Sequence, residues 1–152
     1  MPDMLVKLYE LPDAPIAVPD GVTIRRPIAP EKHVVTRWIN EHFNAAWVSE
    51  AEASFARSPV SCFIAVEDGR LLGFACYDAT MRGFFGPTGV DAEERGRGIG
   101  KLLLLAAMRA MRDEGYGYAI IGGAGPTAFY EKAVGAAAIP GSEPGVYKGM
   151  LR

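Results

Sequence analysis

Val34, Val35, Trp38, Ile39 and Phe43 recur at three- and four-residue spacing, the period of an amphipathic helix from roughly Glu31 to Phe43. Upstream, Leu5 to Tyr9 and Val22 to Ile28 read as strands, separated by Pro12, Pro15 and Pro19, which exclude a helix between them. Ser49 with Glu52 three residues on has the form of a capping box and predicts a short second helix ending before Pro59. Then come the hairpin strands Cys62 to Glu67 and Leu71 to Asp78 around Asp68-Gly69, and a strand from Gly83 to Val90. Both faces of the hairpin are apolar, so layers are expected on both sides of the sheet. A strong helix is predicted from Gly98 to Glu114, ending at Gly115, and a short buried strand from Tyr118 to Ile121. Gly122, Gly123, Gly125 and Pro126 then turn into a helix from Thr127 to Val134, closed by Gly135. A last strand, roughly Gly145 to Leu151, is expected to complete the sheet. The order β, α, α, β, β, β, α, β, α, β is that of a mixed α/β sandwich, with one β-α-β crossover following Val90.

The 152 residues are the size of one domain, 1–152, in which 1–21 form an N-terminal extension with an extra strand. Hydrophobic residues at 49% and charged residues at 22% exclude a disordered chain. A net charge of -2 carries no nucleic-acid footprint. Asp3, Lys7 and Glu10 break up any signal-like apolar stretch, and the run from Leu102 to Met108 is too short to span a bilayer, so a cytoplasmic protein without a membrane partner is expected. A two-residue turn at Asp68-Gly69 sets Cys62 opposite Ala75, which predicts Cys62 and Cys76 on different sides of the sheet as two core thiols. Two histidines, His33 and His42, and two separated cysteines make no metal cluster, so no metal is expected.

The chemistry-bearing stretch is Val90-Asp-Ala-Glu-Glu-Arg95-Gly-Arg-Gly98-Ile-Gly100-Lys101, which joins a strand end to a glycine-rich turn and a buried helix. Gly96, Gly98 and Gly100 let a ligand approach the backbone, and the helix N-terminus turns unpaired NH groups toward it. With Arg95, Arg97 and Lys101 these groups form a phosphate cradle. A P-loop is excluded because Leu102 follows Gly100-Lys101 and Arg95 stands where the first glycine belongs. A dinucleotide fingerprint fails because its third glycine falls on Lys101.

Arg95, Gly98 and Gly100 satisfy Arg-x-x-Gly-x-Gly, which resembles the acyl-CoA pyrophosphate motif of the GNAT superfamily of N-acyltransferases. Phe129-Tyr130-Glu131-Lys132 followed by Gly135-Ala136 is similar to that family's helix beside the pantetheine arm. The resemblance covers about Val22 to Leu151. It implies an α/β fold with a mixed, mostly antiparallel central sheet, helices on both faces, and a splayed fourth and fifth strand pair counted from the Val22 strand. Acetyl-CoA as co-substrate is implied, bound by Thr88, Gly89, Val90, Arg95, Gly96, Arg97, Gly98, Ile99, Gly100 and Lys101. Thr88 to Val90 would pair with the pantetheine amides as an added strand. Pro87 and Gly86 in mid-strand mark the place where the ladder opens. Two departures stand out. Gly122-Gly123-Ala124-Gly125 holds no Asn to touch the cofactor arm, and Ala136 replaces the motif's final aromatic.

Acyl transfer to an amine needs orientation, an oxyanion donor, a base, and a proton for the leaving thiolate. The NH of Val90 or Gly89 is the expected donor, and Tyr130 the expected acid, with Phe129 and Ala133 toward the core. No base is visible. The strand Gly83 to Val90 has no carboxylate, and Asp78, Glu50 and Glu52 read as solvated surface groups, so a water chain is expected to serve. The expected function is direct acetyl transfer, in a ternary complex, to a primary amine of a small molecule. The alternative is a non-catalytic acyl-CoA sensor or partner module of the same fold. A homodimer is compatible with either. Phe43, Trp47, Phe55, Phe85 and Tyr147 are expected to wall the acceptor side, which favours an amine beside an apolar or aromatic group over a polycation.

Overall fold

The computed structural model describes residues 1–152. Seven strands form one sheet in the order β2-β3-β4-β5-β6-β1-β7: β1 Met4–Lys7, β2 Val22–Arg25, β3 Cys62–Glu67, β4 Arg70–Tyr77, β5 Phe84–Val90, β6 Tyr118–Ile121 and β7 Ala137–Ala138. Four helices flank it: α1 Lys32–His42, α2 Ala45–Phe55, α3 Ile99–Asp113 and α4 Thr127–Val134. Every pairing is antiparallel except β5 with β6, the two strands joined by the α3 crossover. No helix is long and apolar enough to cross a membrane.

α3 buries Leu103, Leu105, Met108 and Met111 against the sheet, and with α4 and β1 it builds the larger core. α1 and α2 cover the opposite face through Val35, Trp38, Ile39 and Ala51, which meet Cys62, Ile64, Phe74 and Cys76. Both sides of the hairpin are therefore covered, as its doubly apolar pattern requires.

Three expectations are corrected here. A bulge between Ala65 and Val66 shifts the hairpin register by one residue, so Cys62 stands directly opposite Cys76 in the smaller core. Both thiols are buried, and Cys76 Sγ donates to Ser54 Oγ at 3.7 Å. α2 starts four residues before Ser49, because Asn44 is in extended backbone (φ -158, ψ 168) and its side chain accepts from Trp47 N at 2.9 Å. Ser49 lies inside the helix and donates back to Ala45 O at 3.3 Å. The last strand does not form. Gly145–Tyr147 is a single 3-10 turn, and the position beside β6 is taken by β1, with Leu5 paired to Ile120 on one side and Ala137 on the other. The four residues of β1 carry three apolar side chains, two of them with no exposed surface, which the polar, glycine-broken end of the chain has nothing to match.

Candidate active site

β5 and β6 touch only at Phe84 with Ile120 and Phe85 with Ile121, then separate. A second bulge, between Ala75 and Tyr77 of β4, sets Gly86 and Pro87 against one residue of the partner strand and bends β5 at that point. Beyond the bend the β4 to β5 register is regular, and Asp91 N donates to Leu72 O at 2.9 Å. Antiparallel alternation then turns the backbone groups of Gly89 and Asp91 toward β4 and those of Thr88 and Val90 away from it, into the gap. Of the two NH groups, that of Val90 therefore faces the gap and that of Gly89 faces β4. Gly89 has another task. A Cβ there would stand 2.3 Å from Phe43 Cζ, so the bare backbone is what lets the Phe43 ring lie on the strand.

Two cavities meet at the gap. The smaller, about 530 Å³, lies toward α3 and is lined by Thr88, Gly89, Val90, Arg95, Gly96, Gly98, Ile99, Gly100 and Lys101, together with Glu94, Leu104, Pro126, Phe129 and Tyr130. The larger, about 740 Å³, lies toward α2, and its walls include Asn44, Trp47, Glu50, Thr80, Phe85, Gly122 to Gly125, Tyr130 and Tyr147. Thr88 and Tyr130 line both. A molecule bound in one cavity can therefore meet a molecule bound in the other at these two residues.

The smaller cavity presents groups that suit an anion. The first intrahelical bond of α3 runs from Leu102 N to Gly98 O at 3.1 Å, which leaves the NH groups of Ile99, Gly100 and Lys101 without helical acceptors. Gly98 caps the helix in left-handed backbone (φ 77, ψ 9), and a Cβ on Gly96 or Gly98 would meet no atom within 4 Å. Arg95 and Lys101 make no ion pair within the chain, so both charges are open to a ligand. Arg97 is different: it bonds Glu67 at 2.9 Å and Glu94 at 2.6 Å, and its side chain is the one of the expected set outside the cavity lining. The Glu67 carboxyl is held below its usual range chiefly by that hydrogen bond.

Phe129 departs from the expected core face, whereas Ala133 lies in the core and Tyr130 lines both cavities. Tyr130, Ala133 and Val134 form the buried stripe of α4, with Tyr130 only 6% exposed and edge-on to Phe85 at 6.4 Å between ring centroids. Phe129, one step round the helix, is 37% exposed and lines the smaller cavity. The Tyr130 hydroxyl has no hydrogen-bond partner in the chain, and the residue lines both cavities; burial pushes its pKa up, so it stays protonated.

Of the expected acceptor wall, Trp47, Phe85 and Tyr147 line the larger cavity, while Phe43 and Phe55 pack against the core under α1 and α2. Asp78 is buried and used structurally, accepting from Gly83 N at 2.7 Å and from Tyr116 Oη at 3.0 Å. His42 stacks on Trp38 at 4.1 Å and bonds its carbonyl through Nδ1 at 2.9 Å. Glu52 is exposed, whereas Glu50 turns into the larger cavity and takes a hydrogen bond from Thr80 Oγ1. The sequence reading had no place for Thr80. Its signal is position alone, in the loop that carries the chain from β4 into the bent β5.

Comparison with known proteins agrees with this arrangement. A family model described as the acetyltransferase (GNAT) family matches residues 31–136. A curated relative, mycothiol acetyltransferase of Thermomonospora curvata, is 33% identical over 124 residues, which cover 71% of this chain and 40% of the relative. Among solved structures, a GCN5-related N-acetyltransferase from Sphaerobacter thermophilus superposes with a TM-score of 0.74 at 23% identity, over 91% of this chain and 48% of that one. A GNAT family acetyltransferase from Brucella melitensis, solved in complex with acetyl-CoA, superposes with a TM-score of 0.50 at 20% identity, over 62% of this chain and 70% of that one. The chain thus spans less than half the length of its curated relative.

Proposed function

This chain belongs to the GNAT family of acetyltransferases, and on that premise we propose that it moves an acetyl group from acetyl-CoA to the primary amine of a small molecule, by direct attack with both substrates bound. The observation that carries the reading is the pair of cavities sharing Thr88 and Tyr130 across the open edge of β5. The smaller cavity fits CoA on its own features: free NH groups at the start of α3, open space above Gly96 and Gly98, and unpaired Arg95 and Lys101 for the pyrophosphate. The backbone groups of Thr88 and Val90 suit the amides of a pantetheine arm. Acetyl-CoA supplies an activated thioester. The protein does the rest: it aligns the acyl carbon with the amine, aims the Val90 NH at the charge that develops on the acyl oxygen, and delivers the Tyr130 proton to the departing sulfur.

CoA or acetyl-CoA at 100 times its dissociation constant is expected to stabilise the fold by about 2.7 kcal/mol, read as a thermal shift. A shift with ATP or NAD and none with CoA would overturn the assignment. Within the cradle, Arg95→Ala is expected to weaken CoA binding about 3- to 10-fold, the scale of one exposed charge at a helix N-terminus. Arg97→Ala is expected to lower thermal stability while leaving CoA affinity near wild type, because its guanidinium already serves Glu67 and Glu94. Calorimetric titration of the two variants compares them, and a larger CoA loss for Arg97→Ala would put that side chain back on the ligand.

A further inference from the structure

The larger cavity holds one carboxylate, and that carboxylate lacks a cation. Among the carboxylates that are not exposed, Glu31, Glu67, Asp78, Asp91 and Glu94 each face Arg or His. Asp3 accepts from Gly123 N at 2.8 Å. Glu50 has only the Thr80 hydroxyl on Oε1, and its Oε2 is without a partner. A charge drawn out of bulk water and left unpaired is costly, so a site that keeps one is built for a cation that arrives from outside.

The surroundings say what kind. Glu50 projects from α2, whose first turns also bring Asn44 and Trp47 to the wall. The loop after β4 brings Thr80, and the Gly145–Tyr147 turn brings Tyr147. No Lys, Arg or His lines the cavity, and the one amino group there, at Met1, is ion-paired with Glu143 at 2.8 Å. Tyr147 is pushed above its usual pKa by burial first and by the charge of Glu50 second, so it faces Glu50 as a neutral phenol. Tyr130, at the junction with the smaller cavity, is the other titratable group in the lining. Beyond this polar corner the walls are Met81, Phe85, Ile121 and Val146.

We propose that Glu50 receives the acceptor as its ammonium ion and takes the proton that must leave before attack, so that the acceptor is a monocationic primary amine on an apolar or aromatic body. The proposal rests on the acetyl-transfer reading above and names the base that reading lacks. The steps balance. The ammonium and the Glu50 carboxylate become a neutral amine and a carboxylic acid. The amine nitrogen then forms its bond to the acyl carbon as the carbon-sulfur bond breaks. The sulfur leaves as the thiol with the Tyr130 proton, Tyr130 regains a proton from the amide nitrogen, and Glu50 releases its own to solvent. Trp47 and Tyr147 bring aromatic rings to the same cavity, a setting that suits a cation. A single carboxylate cannot neutralise a polyamine.

The test measures thiol release from acetyl-CoA with a series of arylalkylamines led by 2-phenylethylamine, and with spermidine, from pH 6.5 to 10.5. Wild type is expected to prefer the arylalkylamines. Glu50→Gln is expected to lower kcat/KM about 10²-fold at pH 7, with the deficit relative to wild type closing as pH passes the amine's own pKa of about 10. Thr80→Val is expected to give a smaller deficit of the same pH form, and CoA affinity by calorimetry is expected to be unchanged in both. A deficit that is equal at every pH makes Glu50 a packing residue and overturns the proposal, as does no deficit at all. Spermidine turnover that exceeds every arylalkylamine overturns the substrate class. A wild-type protein that binds CoA and acetylates no amine overturns the acetyl-transfer reading itself.

Discussion

Tyr130→Phe is expected to slow turnover about 10²- to 10⁴-fold while leaving CoA affinity nearly unchanged. The phenyl ring would keep the edge contacts with Phe85 at 6.4 Å and with Phe129 at 5.1 Å, so α4 stays seated and both cavities keep their shared wall. Only the hydroxyl is lost, and it makes no hydrogen bond within the chain, so no protein partner is orphaned by its removal. That separates chemistry from packing more cleanly than at most buried tyrosines. Burial raises the Tyr130 pKa above its ordinary value of about 10, so the proton is present throughout the neutral range and is lost only as pH climbs past the raised value. Wild-type activity is accordingly expected to fall on an alkaline limb that the variant lacks. Full turnover by Tyr130→Phe on a confirmed acceptor would assign the thiolate's proton to water.

The cradle could be read from the letters because its function lies in the backbone: glycines, a strand end and a helix start are all written locally. α1 was visible in its apolar stripe at helical spacing, α3 in its long apolar run, and α4 in the glycine-proline turn before it and the Gly135 cap after it. What escaped depends on contacts between distant segments. No rule about Asp68-Gly69 reveals the bulge opposite Ala65 and Val66, where Leu72 is the extra residue, and it puts Cys62 opposite Cys76. Phe129 was expected in the core because a short motif names the residues of α4 without fixing how the helix is rolled against the sheet. The decision falls to Phe85 and Val134, which draw Tyr130 inward. β1 displaces the expected C-terminal strand because sheet positions are filled by whichever segment buries more apolar surface, and Met4 and Val6 outcompete Gly145 to Leu151. Glu50 looked like a surface carboxylate because charged side chains mostly are, and nothing local in the letters sets it against Thr80. Once Asn44 caps the helix, Glu50 falls in its second turn, facing the cavity.

Gly98→Val is expected to abolish CoA binding, weakening it by at least about 10²-fold, because two costs fall on one atom. The first is conformational. Gly98 holds φ 77 and ψ 9 at the cap of α3, a left-handed geometry that costs an ordinary residue about 1–2 kcal/mol and a β-branched one more. The second is steric, and it acts on the ligand. No atom beyond the adjoining chain lies within 4 Å of a Cβ at this position, so a side chain here projects into the space the anion needs beside the free NH groups of α3. Gly69→Val separates the two costs. Gly69 has φ 71 and equally empty surroundings, but it sits in the β3–β4 turn and lines neither cavity. Both variants are expected to melt lower than wild type by a similar amount, and only Gly98→Val should lose CoA in a calorimetric titration. Equal CoA affinity in wild type and Gly98→Val would show that the glycines serve the turn alone, and would move the pyrophosphate away from the start of α3.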